Sequence, residues 1–91
     1  MLVFEWDEAK SAANLKERGF DFAYAARIFE RPTLESEDER ADYGERRIRA
    51  IGRIEEHVLF VVYTWRREVR RIISARQASR KERNAYREIL G

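Results

Sequence analysis

The stretch RIRAIGRIEEHVLFVVYTWRREVRRIISA, residues 47–75, decides the fold. Arg47 to Arg53 alternates, with Ile48 and Ala50 on one side and Arg47, Arg49 and Ile51 on the other, the period-two pattern of a half-buried strand. Val58 to Trp65 runs apolar, as a central strand covered on both faces does. Glu55-Glu56-His57 forms the turn between these two runs, Arg66-Arg67-Glu68 forms the next, and Val69 to Ala75 is the last strand. Consecutive strands joined by turns this short predict an antiparallel meander.

Upstream, Glu35, Glu37, Asp38, Glu39, Asp42 and Glu45 crowd residues 33–45. This reads as an exposed loop leading into a first strand around Ala41 to Glu45, so the meander has three to four strands. Earlier still, Val3-Phe4-Glu5-Trp6 is a short lead-in suited to an edge strand. Asp7 offers a capping carboxylate to a helix reaching Arg18, with Ala9, Ala12, Ala13 and Lys16 on one stripe and Gly19 as its stop. Asp21 caps a second helix in which Phe22, Ala25, Ala26 and Phe29 recur at helical spacing, ended by Pro32. The alanines suggest closely packed helices, with Phe22 and Phe29 as bulk for the sheet. After Ala75 the pattern turns helical again. Ala78, Ser79, Glu82, Tyr86, Ile89 and Leu90 mark one side, and Arg76, Arg80, Arg83 and Arg87 stack as a basic ridge. The expectation is one α+β domain over residues 1–91: two N-terminal helices, an antiparallel meander and a C-terminal helix, all helices on one face of the sheet.

Composition narrows the function classes. Ninety-one residues hold one core. The chain has no cysteine, which excludes disulfides and thiolate metal sites and suits a cytoplasmic protein. No secretory signal is visible, and the apolar run Val58 to Tyr63 is too short to span a bilayer. The formal charge of +2 hides a polarity: residues 1–45 net −6 and residues 46–91 net +8. So basic a half fits a polyanion, an acidic protein partner or a solvated surface, and charge alone does not choose among them.

The chain also resembles a known family. Phe4-Glu5-Trp6-Asp7 with Lys10 and Asn14, then Gly19-Phe20-Asp21-Phe22 with Ala25 and Phe29, are similar to the opening of BrnT toxins. Asp42-Tyr43-Gly44-Glu45-Arg46-Arg47 and Ile51-Gly52 fit the middle of that pattern. The most specific piece is Arg71-Ile72-Ile73-Ser74-Ala75-Arg76, followed by Ala78, Glu82, Arg83 and Tyr86. Trp65-Arg66 departs from it, since many relatives carry polar or acidic residues there. The resemblance implies a RelE-like ribonuclease fold, RNA cleavage that blocks translation and growth, and a cognate BrnA-like antitoxin with a ribbon-helix-helix part. Operator DNA would be met only through the toxin–antitoxin complex.

RNA can be cut without a metal or a protein nucleophile, because its own 2′-hydroxyl can attack the adjacent phosphate. The protein must then stabilise charge on phosphorus and help move two protons. Arginine suits the first task, as its planar fork pairs two phosphate oxygens and stays charged. Arg71 and Arg76 are the first catalytic candidates, with Arg66, Arg67, Arg80 and Arg83 as further RNA contacts. Glu82 and Tyr86, four apart on the last helix, either join the chemistry or pack and pair within the helix. Glu82 would steer an arginine or accept a proton, and Tyr86 would orient substrate or stack on a base. For Arg76 the plain alternative is a salt bridge to Glu45 or another acid. His57, the sole histidine, is read as a turn residue, while Tyr63 and Trp65 are either core or a stacking surface for bases. No metal or other cofactor is expected: one histidine and acids gathered in a loop form no recognisable ligand set, and no phosphate-cradling glycine loop is present. A non-catalytic nucleic-acid-binding module, or a domain that serves only an acidic partner, is the competing class.

Overall fold

The computed structural model describes residues 2–40 and 42–91. Strand β1 (Phe4–Trp6) is followed by helix α1 (Glu8–Arg18), a short helix α2 (Phe22–Ala25) and a 3₁₀ turn (Ala26–Glu30). Strands β2 (Leu34–Glu37), β3 (Arg47–Ile54), β4 (His57–Arg66) and β5 (Val69–Gln77) come next, and helix α3 (Arg80–Leu90) closes the chain. The strands form one five-stranded sheet in the order β1-β5-β4-β3-β2. No described helix is long and apolar enough to cross a membrane.

The α+β class and the three central strands agree with the sequence, and the sheet around them is larger than expected. β1 pairs with β5 in parallel, Phe4 opposite Arg70 and Trp6 opposite Ile72, so the sheet is mixed rather than a pure meander. β2 pairs antiparallel with β3 inside the stretch read as a loop. Three of its four residues are exposed, so it carries no apolar alternation and is held by backbone pairing at the sheet edge. The strand expected around Ala41 to Glu45 is not formed over its described part. There Gly44, at a φ of 71°, donates its amide to Asp42 in a tight bend, and Ala41 lies outside the described residues.

The N-terminal helices hold a second difference. Ala9, Ala12 and Ala13 are exposed, and the buried face of α1 is Ser11 and Asn14. The Asn14 amide donates to the Phe20 carbonyl at 2.8 Å and the Ser11 hydroxyl accepts from the Phe22 amide at 3.0 Å. Buried polar groups paired in this way fix the α1–α2 turn rather than fill a core. The second expected helix is one α-turn that tightens into the 3₁₀ segment, whose Ala26, Ile28 and Phe29 are buried.

Strand alternation divides the sheet. Ala50, Ile54, Leu59, Val61, Tyr63, Ile72 and Ala75 face the α2 and 3₁₀ side and form the core with Phe20, Phe22, Ala25, Ile28 and Phe29. The opposite face takes Arg47, Arg49 and Arg53 of β3, Val58, Phe60, Val62 and Thr64 of β4, and Arg71, Ser74 and Arg76 of β5. Helix α3 packs on β3 and β2 and reaches this second face through Glu82, so the helices do not share one face as expected. Arg76 belongs to β5, which leaves Arg80, Arg83 and Arg87 as the ridge on α3.

Candidate active site

The second sheet face brings the leading sequence candidates, Arg71 and Arg76, together. Across it, Arg47, Thr64, Arg71 and Glu5 stand in one cross-strand row, because Arg47 pairs with Thr64, Thr64 with Arg71 and Arg71 with Glu5. Arg49, Val62 and Ser74 form the next row, then Ile51, Phe60 and Arg76. The β-irregularity at Val62/Tyr63 lets β5 keep Arg71, Ser74 and Arg76 on the same face despite their uneven spacing. Val62 is buried although it faces this side, and half-buried Arg49 sits opposite it with its guanidinium Nε buried and without a hydrogen-bond partner among the described residues.

Both leading candidates are held by carboxylates. Arg71 Nη1 donates to Glu5 Oε2 at 2.7 Å, and Arg66 Nη1 stands 4.0 Å from the same oxygen. Arg76 makes a two-point pair with Glu82, Nη1 to Oε1 at 2.8 Å and Nη2 to Oε2 at 2.9 Å, while its guanidinium lies 4.0 Å from the centre of the Phe60 ring. Glu82 is fixed from its own helix as well, in a capping box with Ser79. The Arg76 hydrogen bonds hold the Glu82 carboxyl at a pKa of about 2, helped by Ser79 and against its partial burial. Glu82 is therefore an anion at neutral pH with both oxygens engaged. The acid expected to pair with Arg76 is thus Glu82, whereas Glu45 pairs with Arg47 at 3.2 Å.

The remaining candidates spread around this core. Arg66 lies at the open end of the face, and Arg67 projects from the β4–β5 turn with a φ of 58°. Arg80 is exposed on α3, and Arg83 donates to the Ala78 carbonyl at 2.8 Å. Tyr86 is only 4 % exposed, its hydroxyl directed at the Pro32 carbonyl at 3.5 Å, which places it beneath α3. Tyr63 is core, and burial together with its hydrogen bond to Glu35 pushes its phenol up to about 12. Trp65 is 45 % exposed on the core side of the sheet, with Arg70 over its ring at 4.5 Å. His57 faces away from the arginines and contacts the Tyr24 hydroxyl through Nδ1 at 3.1 Å. Among the described residues no group of three or more histidines and acids is gathered for a metal ion.

Glu5, Arg47, Arg49 and Ser74 belong to this face and were not among the sequence candidates. Alternation in β3 already put Arg47 and Arg49 on one side, but only the register shows which neighbours they meet. The acidic loop borders the same end. Glu37 pairs with Arg46, Arg47 lies 4.0 Å from the centre of the Tyr43 ring, and a cleft of about 570 Å³ opens among Glu37, Asp42, Tyr43 and Arg47. Within that loop the Arg40 guanidinium holds the buried Asp38 carboxyl well below the usual carboxylate range.

A basic sheet face with two arginines held by carboxylates, Arg76 at two points and Arg71 at one, is suited to a phosphodiester. Over residues 6–82 the sequence matches the family described as the ribonuclease toxin, BrnT, of type II toxin–antitoxin systems. The chain belongs to the BrnT family. No curated protein matches it. The BrnT match spans β1's last residue to the third residue of α3, so it includes Arg71, Arg76 and Glu82 and stops short of Arg83 and Tyr86. Membership in BrnT also implies an antitoxin partner, as type II systems pair two proteins.

Proposed function

We propose that this BrnT-family chain is a metal-independent endoribonuclease whose arginine face positions RNA for attack by its own 2′-hydroxyl. The observation that carries the reading is the placement of Arg71 and Arg76 on one face of the sheet, each held by a carboxylate, Arg76 through both Nη atoms and Arg71 through one. In the reaction the 2′-oxygen forms a bond to phosphorus as its proton departs. The bond from phosphorus to the 5′-oxygen breaks, and that oxygen leaves protonated. Arg71 and Arg76 act on the charge that builds on the phosphoryl oxygens between these events. Arg66, Arg67, Arg80 and Arg83 extend the phosphate contacts to the turn and the helix. Glu82 steers Arg76, and Tyr86 seats the helix that carries Glu82.

The cell-level reading rests on the BrnT family rather than on the geometry. RNA cleavage in the cytoplasm arrests translation, and a BrnA-like ribbon-helix-helix antitoxin silences the chain by covering the basic face. Operator DNA is bound only through that complex. The test is purified protein with a defined RNA in excess EDTA, followed by identification of the new 3′ ends. Cyclic phosphate or 3′-phosphate ends are expected. Intact RNA from folded protein, alone and with translating ribosomes, would overturn the nuclease reading in favour of a non-catalytic binding module.

A further inference from the structure

We propose that Glu5, on the N-terminal edge strand, is a positioning residue of the RNA-cleaving site that acts through Arg71. The proposal rests on the ribonuclease reading above and deepens it. Three observations carry it. Phe4 and Trp6 pack against the core, so the intervening Glu5 points to the opposite, arginine-bearing face. The parallel register sets Glu5 directly beside Arg71. Finally, Arg71 and Arg66, from two different strands, converge on the single oxygen Oε2 of Glu5 at 2.7 and 4.0 Å.

A carboxylate on a face that must hold phosphates opposes RNA binding by simple charge repulsion. A surface pair of this exposure also contributes little to folding. What remains is geometry. An unrestrained arginine samples many rotamers, whereas one tied to the sheet edge presents its remaining donors to the phosphate in one orientation. Glu5 does for Arg71 what Glu82 does for Arg76, and together they fix two cationic stations four residues apart along β4, roughly 13 Å.

The charge argument and the geometry argument predict opposite signs, which makes the idea testable. In Glu5→Gln, loss of the negative charge lowers KM for RNA, and loss of the restraint lowers kcat by tenfold or more. Glu5→Asp keeps the charge but falls one methylene short of Arg71; its kcat drops similarly with KM near the parent value. Glu56→Gln, the same charge change on the exposed β3–β4 turn, leaves kcat unchanged. Thermal unfolding of each variant reports whether β1 stays docked, and Arg71→Lys gives a reference for loss of the fork from the other partner. Parental kcat in Glu5→Gln and Glu5→Asp, with lower KM in Glu5→Gln alone, would reduce Glu5 to a counter-charge and overturn the proposal. A parent that binds RNA and never cuts it would instead overturn the nuclease reading on which the proposal stands.

Discussion

Arg76 is the residue whose surroundings are most constrained: a two-point carboxylate pair on one side, the Phe60 ring beneath, and a capping box behind its partner. Lysine keeps the charge and loses the planar fork, so Arg76→Lys is expected to behave almost as badly as Arg76→Ala. Both should lower kcat for RNA cleavage by roughly 10²–10³-fold, the cost typical of removing one donor aimed at the developing charge. Near-parental turnover in the lysine variant would show that only net charge matters there. The same pair makes stability depend on pH. The Glu82 pKa falls from 4.5 to about 2 on folding, so the unfolded chain binds its proton first as pH drops. Its stabilising contribution is therefore full above about 4.5 and is lost as pH falls towards about 2. Urea unfolding at a series of pH values should show this decline, and Glu82→Gln should be less stable at pH 7 and flatter across that window. Arg71 and Arg76 were legible as candidates because they flank one apolar strand in a motif of the family. Glu5 was not, because nothing within Phe4-Glu5-Trp6 reveals that β1 lies parallel to a strand more than sixty residues later.

Secondary-structure elements carry the site by packing that leaves little slack. A Cβ at Gly52 of β3 would lie 2.6 Å from Ile28 Cβ and 3.0 Å from Thr33 Cγ2, so the 3₁₀ turn can approach the sheet only where a side chain is missing. Gly52→Ala should cost about 1–3 kcal/mol in urea unfolding through overpacking, since β3 would have to separate from Ile28. A change within a few tenths of a kcal/mol would mean that this contact is not tight in solution. Asn14→Ala probes the other end of the helical layer. It strips the Phe20 carbonyl of its buried donor and should cost about 1–3 kcal/mol. The strands β3, β4 and β5 were readable because alternation and continuous apolar runs report burial directly. β2 was hidden by Glu35, Ser36 and Glu37, exposed residues without apolar alternation whose side-chain partners, such as Tyr63 for Glu35, are far away in sequence. α1 misled in the opposite sense: its alanines face solvent, and polar Ser11 and Asn14 do the inward bonding. Propensity identifies a helix, while tertiary hydrogen bonds choose its buried face.

At the scale of the whole molecule the charge polarity seen along the chain becomes a spatial one. The basic half supplies β3, β4, β5 and α3, and strand alternation turns Arg47, Arg49, Arg53, Arg71 and Arg76 to a single face. Binding of single-stranded RNA to that face should weaken with salt, log K falling by about 0.7 per phosphate neutralised for each unit of log salt. Arg71→Ala should reduce that slope by about 0.7. An unchanged slope would place the RNA elsewhere. The same polarity constrains how an antitoxin silences the chain. Covering α1 and α2 would leave Arg71 and Arg76 uncovered, so on the proposed mechanism the antitoxin sets acidic residues over β4, β5 and the start of α3. Hydrogen exchange on the toxin–antitoxin complex should therefore show protection centred on the β4–β5 hairpin and the first turn of α3, and excess RNA at low salt should compete with the antitoxin. Protection confined to residues 7–30, with RNA still able to bind the complex, would mean that silencing works by distortion from a distance and that the basic face is not the antitoxin's target.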